Sequence, residues 1–214
     1  MDIRRYIDHT LLKPDTKLND IARICHEAIE NNFYSVCISP YFVQKASQVL
    51  ENSDVKISTV IGFPFGYSPT VAKVASMRRC LDQNVDEFDA VINFSAVKSG
   101  DFNFVENDII SMATTAHMKG KIIKVIVEPH LLTKEELQRV IDICVKAEVD
   151  FIKNSTGVLG SGAQESLIKE LRLLIPDDIS IKASGGIKTH QQALNLIEAG
   201  ADRIGSSSSL SLIQ

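Results

Sequence analysis

The strongest constraint on the fold is a repeated alternation of short β-like runs with helix-like segments along the whole chain. Eight such runs recur at intervals of roughly 20–35 residues, a spacing that suits consecutive βα units. They cover residues 6–10, 34–39, 57–61, 87–93, 122–128, 151–153, 179–183 and 202–205. We therefore predict an α/β fold, a single (β/α)8 barrel domain over residues 1–214. An open doubly wound sheet would have about five or six strands and often an early GxGxxG turn, which this sequence lacks.

The segments between the runs carry helix signals. An apolar stripe of helical period is formed by Leu18, Ile21, Ala22, Cys25, Ala28 and Ile29. Thr133 with Glu136 and Thr189 with Gln192 are typical of capping boxes at helix starts. Gly200 is a helix stop signal.

Composition excludes several classes of protein. The 214 residues are 44% hydrophobic and 23% charged, as in an ordinary soluble globular protein. A net charge of −4, with scattered Lys and Arg, predicts no nucleic-acid partner. The four cysteines have no CxxC or Cys/His zinc spacing, and no apolar run approaches about 18 residues. We expect a reduced, cytoplasmic protein with no membrane partner and no metal site.

Two lysines stand at the ends of neighbouring apolar runs. Lys153 ends the sixth run and Lys182 lies near the end of the seventh, at the barrel edge where active sites gather. At an effective dielectric near 20, two like charges at about 5 Å repel by roughly 3 kcal/mol. That repulsion and burial predict a depressed pKa for one lysine, which would make it a Schiff-base nucleophile. The alternative is that both side chains extend to solvent.

The fourth run places an aspartate on the face opposite its apolar residues. Period-2 alternation puts Phe88, Ala90 and Ile92 on one face and Asp89 on the other. If the apolar face meets the helices, Asp89 points into the barrel, where it can orient water or move protons. The alternative is a structural role, in which Asp89 only neutralises a lysine.

Small-residue loops follow the last two runs. Gly185 and Gly186 follow the seventh run, and Ser207 and Ser208 follow the eighth, where such barrels commonly bind phosphate. Backbone N–H groups and serine hydroxyls are suitable donors to a phosphate. The serine run alone is also typical of a flexible tail. The loop of residues 155–162, which contains Ser161, is a candidate to close over the same anion.

Four further residues are candidate substrate contacts. Asp8 and Thr10 end the first run, where they can hydrogen-bond a substrate hydroxyl, although a cap or turn is an equal explanation. Cys37 alternates with two apolar residues and is a candidate pocket residue, but a plain core cysteine is the simpler interpretation. Thr156 stands in the loop after Lys153.

Several motifs in chain order make the chain resemble the deoxyribose-phosphate aldolase family over essentially its whole length. The matching segments are residues 7–12, 60–66, 86–93 with 98–101, 153–157, 181–187 and 203–208. The resemblance implies reversible cleavage of 2-deoxy-D-ribose 5-phosphate to D-glyceraldehyde 3-phosphate and acetaldehyde, without metal or other cofactor. It also suggests a homodimer.

The resemblance implies a role for each matching residue. Lys153 would be the Schiff-base lysine, Lys182 the second lysine and Asp89 the proton-relay carboxylate. The positions of the phosphate ligands are matched by Gly185, Gly186, Ser207 and Ser208. In the synthetic direction, Lys153 would condense with acetaldehyde and form an enamine that attacks the phosphorylated acceptor.

The sequence departs from the family at some positions and leaves other functions open. Asn154 stands where the family usually has threonine, and residues 128–130, Glu-Pro-His, are unusual after the fifth run. One alternative is a related Schiff-base barrel aldolase with another carbonyl donor. Another is a catalytically silent barrel that binds sugar phosphates. A metal-dependent barrel would require clustered histidines and carboxylates at strand ends, which the sequence lacks.

Overall fold

The eight predicted strands close into a parallel barrel in a computed structural model that describes residues 1–160 and 162–214. Each strand pairs with the next along the chain, and β8 pairs with β1. The strands are β1 Ile7–Leu11, β2 Ser35–Ile38, β3 Lys56–Ile61, β4 Glu87–Val91, β5 Ile122–Ile126, β6 Phe151–Lys153, β7 Ser180–Ser184 and β8 Arg203–Ser206. The (β/α)8 barrel is therefore confirmed, with strand ends within two residues of those predicted.

Helices cover the outside of the barrel. In the described part of the chain they are α1 Leu18–Glu30, α2 Val43–Leu50, α3 Thr70–Leu81, α4 Phe94–Lys98, α5 Phe102–His117, α6 Lys134–Lys146, α7 Glu165–Leu174, α8 His190–Glu198 and α9 Ser209–Leu212. Single 3-10 turns occupy Arg4–Tyr6, Pro40–Phe42 and Pro129–Leu131. Both predicted capping boxes form, with Thr133 at the start of α6 and Thr189 at the start of α8. None of the described helices combines the length and the apolar character needed to span a bilayer.

The two faces of each strand have opposite chemistry. Phe88, Ala90 and Ile92 belong to the apolar layer between the strands and the helices. Asp89, between them in sequence, is fully buried on the inner face and contacts lysines from other strands. Many inner-facing groups of this barrel are charged, whereas such interiors are usually filled by branched apolar side chains. This departure from the usual packing locates the candidate site.

Candidate active site

The two lysines that the sequence singled out lie side by side at the carboxyl end of the barrel. β6 and β7 are hydrogen-bonded neighbours, and their register aligns Lys153 with Lys182. Both side chains are buried, with 3% of the Lys153 side chain and none of the Lys182 side chain exposed. The alternative that both extend to solvent is wrong.

A single carboxylate joins the two lysines. Oδ2 of Asp89 accepts hydrogen bonds from Nζ of Lys153 and from Nζ of Lys182, each at 2.8 Å. Its other oxygen, Oδ1, accepts from Lys124 Nζ at 2.9 Å and Ser58 Oγ at 3.2 Å. One aspartate on β4 is thus shared among three lysines, on β5, β6 and β7.

A second layer of charges lies deeper in the barrel. Arg203 Nη1 donates to Asp8 Oδ1 at 2.8 Å and lies 3.1 Å from Glu87 Oε2. Glu87 also pairs with Lys124 at 2.5 Å, and Asp8 pairs with Lys182. Lys124 and Lys182 therefore connect the deeper layer to Asp89.

The cluster contains more positive than negative groups. Its cations are Lys124, Lys153, Lys182 and Arg203, and its anions are Asp8, Glu87 and Asp89. Within the described residues, each of the other cations contacts two of these carboxylates, whereas Lys153 contacts one. If Lys153 gives up its proton, the charges in the cluster balance, three against three. Lys153 is therefore the cation that this cluster can best hold as a neutral amine.

The electrostatics assign different charge states to Lys182 and Asp89. Burial opposes charge on Lys182, but the carboxylates of Asp8 and Asp89 outweigh it and raise its pKa above the usual value. Burial alone would likewise raise the pKa of Asp89, but the three surrounding ammonium groups hold it well below its usual range. The expected lowering of a lysine pKa therefore does not apply to Lys182. Lys182 supplies a fixed positive charge beside Lys153.

A cavity of about 380 Å³ opens above Lys153. Seven of the residues singled out from the sequence line it: Thr10, Lys153, Thr156, Gly185, Gly186, Ser207 and Ser208. The cavity walls also include two lysines, Lys13 and Lys188, and the aromatic ring of Phe63. The nucleophile candidate and both the glycine and the serine loops therefore face one cavity.

The loops around this cavity approach each other closely. Gly185 has a φ of +94°, and a Cβ there would lie 2.7 Å from Gly162 Cα. Ala163 N also donates to the Gly185 carbonyl at 2.9 Å, which ties the loop after β6 to the loop after β7. The backbone N–H of Ser208 donates to Ser206 Oγ at 2.9 Å, so the contribution of Ser208 to an anion would come from its hydroxyl. Ser161, in the predicted closing loop, lies outside the described residues.

Two expected substrate contacts do not reach the cavity. Asp8 is fully buried, and its carboxylate is occupied by Ser35, Arg203 and Lys182, so it belongs to the charge cluster instead. Cys37 points into the barrel, 3.9 Å from Asp89 Oδ2, but lies below the cavity. Burial raises the pKa of the Cys37 thiol, which keeps it protonated.

Sequence reasoning missed the deeper charged residues. Lys124 alternates with Ile123 and Val125 along β5, and this period-2 position was the available signal for an inward lysine. On β4, Glu87 lies two residues before Asp89, so the two side chains share the inner face of the strand. Asn154, the departure from the family, uses its Oδ1 to accept from Ser184 N at 2.8 Å and so links β6 to β7.

Metal-binding side chains are not grouped in this site. Over residues 1–160 and 162–214, no set of three or more His, Cys, Asp or Glu side chains is arranged to hold a metal ion.

Comparisons with known proteins agree with this geometry. The model of the DeoC/LacD family aldolases matches residues 3–213. A deoxyribose-phosphate aldolase of Thermococcus gammatolerans is 44% identical over 216 residues, which cover 100% of this chain and 96% of that protein. One from Lactiplantibacillus plantarum is 42% identical over 213 residues, covering 100% and 99%.

A solved structure extends the agreement to three dimensions. The deoxyribose phosphate aldolase of Aeropyrum pernix, described as having a unique tetrameric structure, superposes with a TM-score of 0.93 at 30% identity. The superposition covers 99% of this chain and 89% of that one. With a family match over nearly all residues and relatives above 40% identity, the chain belongs to the DeoC/LacD aldolase family.

Proposed function

We propose that this chain is a class I aldolase that reversibly cleaves 2-deoxy-D-ribose 5-phosphate to D-glyceraldehyde 3-phosphate and acetaldehyde. One observation carries the proposal. Lys153 is buried in a cluster with surplus positive charge, has one carboxylate partner in the described chain, and faces a cavity lined by glycine and serine loops. An amine nucleophile and a phosphate site in one cavity are what a Schiff-base aldolase of phosphorylated sugars requires.

In the cleavage direction the neutral amine of Lys153 attacks the aldehyde carbon of the open-chain sugar. Loss of water from the adduct gives an iminium ion. The proton of the C3 hydroxyl is then removed, the C2–C3 bond breaks, and its electron pair moves into the iminium to form an enamine. D-Glyceraldehyde 3-phosphate leaves, the enamine takes up a proton at C2, and water releases acetaldehyde and the free lysine.

We assign unequal roles to the groups below Lys153. Lys182 stays protonated between Asp8 and Asp89, and its charge disfavours a second ammonium beside it. Asp89 is ionised and bonded to both lysines, so it can accept a proton from one side and return it through the other. Asp89 lies within hydrogen-bond reach of the reacting nitrogen, as a proton relay requires.

The loops after β7 and β8 are our proposed phosphate ligands. Gly185 and Gly186 present backbone N–H groups without side chains in the way, and Ser207 and Ser208 add hydroxyl groups. Lys188 and Lys13 place positive charge at the same cavity wall. We further propose that Thr10 and Thr156 contact the hydroxyl groups of the sugar.

The working state of the protein is a further part of this proposal. We propose that residues 1–214 act as one barrel domain in the cytoplasm and that the enzyme is a homo-oligomer, a dimer by family resemblance. The tetrameric Aeropyrum pernix relative makes a tetramer the alternative outcome. Sedimentation analysis distinguishes the monomer, the dimer and the tetramer.

Borohydride trapping with acetaldehyde tests the chemistry directly. We expect peptide mass analysis to find a reduced two-carbon adduct on Lys153, with labelling and turnover unaffected by EDTA. A Lys153→Ala variant serves as the control and should take up no label. Label on another lysine, or turnover without any label, would contradict the mechanism.

Two substrates separate the closest alternatives. An aldolase with another carbonyl donor would turn over a ketone such as dihydroxyacetone faster than acetaldehyde. A catalytically silent sugar-phosphate-binding barrel would bind 2-deoxy-D-ribose 5-phosphate without releasing acetaldehyde. We expect acetaldehyde release and no ketone addition.

A further inference from the structure

A buried glutamate anchors the segment of cavity wall that follows Lys153. Glu128, two residues past β5, is completely buried. Its Oε1 accepts both the backbone N–H and the hydroxyl of Thr156, each at 2.6 Å, and Ser155 Oγ lies 3.4 Å away. Two charge-assisted hydrogen bonds to one residue fix both the backbone and the side chain of Thr156.

The backbone of Glu128 is held in an unusual conformation. Its φ of +42° lies in the left-handed region, which disfavours a residue with a Cβ. Such a conformation persists where surrounding contacts determine it, and these residues concentrate at functional sites. Here those contacts are the hydrogen bonds to Thr156, so the strain and the anchoring of the loop are connected.

The hydrogen bonds of the Thr156 hydroxyl determine whether it can donate to a ligand or accept from one. A threonine hydroxyl has one proton to donate and two lone pairs. The Thr156 proton is committed to Glu128, and one lone pair accepts from Val158 N at 3.1 Å. Since Thr156 lines the cavity, its remaining lone pair is available there. Thr156 can therefore meet a ligand as an acceptor, and the ligand group that it fits is a hydroxyl that donates.

His130 lies against the other oxygen of the same carboxylate. Its Nδ1 is 3.3 Å from Glu128 Oε2, and its Nε2 is 3.1 Å from the carbonyl oxygen of Leu159. The carbonyl oxygen can only accept, so Nε2 carries a proton. In the described chain, Glu128 Oε2 has no hydrogen-bond donor, so the ring lies beside this oxygen without a hydrogen bond to it.

The His130 ring also contacts the loop after β6 at Gly160, away from Thr156. A Cβ on Gly160 would lie 2.2 Å from His130 Cε1, so the loop after β6 packs directly on the imidazole. In the described part of that loop, the ring contacts the Leu159 carbonyl and Gly160. From its own segment it faces the carboxylate of Glu128, the one carboxylate within 4.0 Å of the ring among the described residues. His130 thus bridges the loops after β5 and β6.

We propose that Glu128 is a positioning residue for the aldolase reaction: it aims the Thr156 lone pair at a substrate hydroxyl, and the His130 ring supports the loop that carries Thr156. The inference rests on the proposed function and adds a substrate requirement to it. The substrate class is a phosphorylated hydroxyaldehyde whose hydroxyl donates to Thr156.

The first arm of the test removes the charge of the anchor without changing its shape. Glu128→Gln should raise KM for 2-deoxy-D-ribose 5-phosphate by about tenfold, because a charge-assisted bond becomes a neutral one, and should lower kcat by less. Acetaldehyde trapping on Lys153, which needs no contact with Thr156, should persist. Glu170→Gln, on the exposed face of α7, is the matched control and should match wild type.

The second arm removes the imidazole ring in the His130→Gln variant. The side chain of His130 is one-third exposed, so this variant is expected to fold even if Glu128→Gln does not. Its KM for 2-deoxy-D-ribose 5-phosphate should rise by about threefold with kcat little changed, because the loop that carries Thr156 loses the ring packed on Gly160. The exposed His26→Gln control should keep the wild-type KM.

The outcomes separate this inference from the proposed function. Non-additive KM effects in the Glu128→Gln/His130→Gln double variant support a shared role. A wild-type KM in folded Glu128→Gln would overturn the positioning role, and a wild-type KM in His130→Gln would overturn the support by the ring. Failure of acetaldehyde to label Lys153 in the wild-type enzyme would instead overturn the aldolase assignment.

Discussion

Two buried clusters of lysine and aspartate differ in their balance of charge, and this difference distinguishes the proposed catalytic lysine from a structural one. Inside the barrel, Asp89 is shared among three lysines. Outside it, Lys73 on α3 pairs with Asp108 on α5 at 2.6 Å and donates to the Val91 carbonyl at 2.8 Å. Lys73 and Lys153 are both almost fully buried. The first cluster has surplus positive charge, and the second is balanced.

Burial and a shifted pKa do not by themselves identify the catalytic lysine. Burial lowers the pKa of Lys73, even though Asp108 opposes the shift. Lys182, beside the proposed nucleophile, shows the opposite shift because two carboxylates surround it. A search for depressed lysine pKa values would therefore select Lys73. The ratio of cations to carboxylates and access to the cavity with the proposed phosphate-binding loops favour Lys153 instead.

The largest expected effect separates the two clusters by activity. Lys153→Arg keeps a positive charge in the barrel but removes the amine nucleophile, so kcat should fall by roughly four orders of magnitude. Lys73→Met should retain kcat within about twofold, as is usual for changes away from a site. Retro-aldol assays coupled to triose phosphate detection measure both. Comparable losses in the two variants would remove the distinction.

The next expected effect is on stability, which Lys73→Met should lower although it leaves activity nearly unchanged. Lys73→Met leaves Asp108 buried without its cation, so the free energy of unfolding should fall by about 3–5 kcal/mol. Adding Asp108→Asn should recover part of this loss, because the neutral amide carries no unpaired charge. Urea unfolding curves measure each variant, with the exposed Lys119→Met as control. Full stability in the single variant would show that the Lys73–Asp108 pair contributes nothing net.

The strands and the upper site were predictable because their signals are local. Period-2 apolar runs located the eight strands, and Lys153 and Lys182 stand out because small-residue loops follow them directly. Their adjacency followed from barrel topology, since consecutive strands pair. Asp89 was predictable for the same reason, because its neighbours on β4 are apolar.

The deeper layer was not predictable because its partners meet only when the barrel closes. Arg203 and Asp8 are 195 positions apart in sequence and pair across the seam between β8 and β1. Nothing in the short, polar first run distinguishes an ion-paired interior Asp8 from a substrate ligand. Glu128 illustrates the same limit, because its hydrogen bonds to Thr156 depend on a backbone turn that no local pattern indicated.

The barrel cluster should also give the protein a specific sensitivity to acid. The pKa values of Asp8 and Asp89 are held low in the folded state, where burial is outweighed by neighbouring cations. Their contribution to stability is present above the unfolded value of about 3.9 and is lost as pH falls from there through the folded values. Urea midpoints between pH 6 and pH 2.5 should show this decline. A profile independent of pH in that range would contradict it.

The smallest expected effect tests the wall of the cavity above Lys153. Ser208→Ala removes one hydroxyl from the proposed phosphate site while leaving the Ser208 N–H to Ser206 Oγ bond available. The loss of one hydrogen bond to a charged group predicts a KM for 2-deoxy-D-ribose 5-phosphate about fivefold higher, with kcat little changed. Unphosphorylated 2-deoxy-D-ribose should react equally well with wild type and variant, because it has no anion for Ser208 to bind. An equal loss with both sugars would instead mean that Ser208 shapes the cavity near Lys153 and does not recognise phosphate.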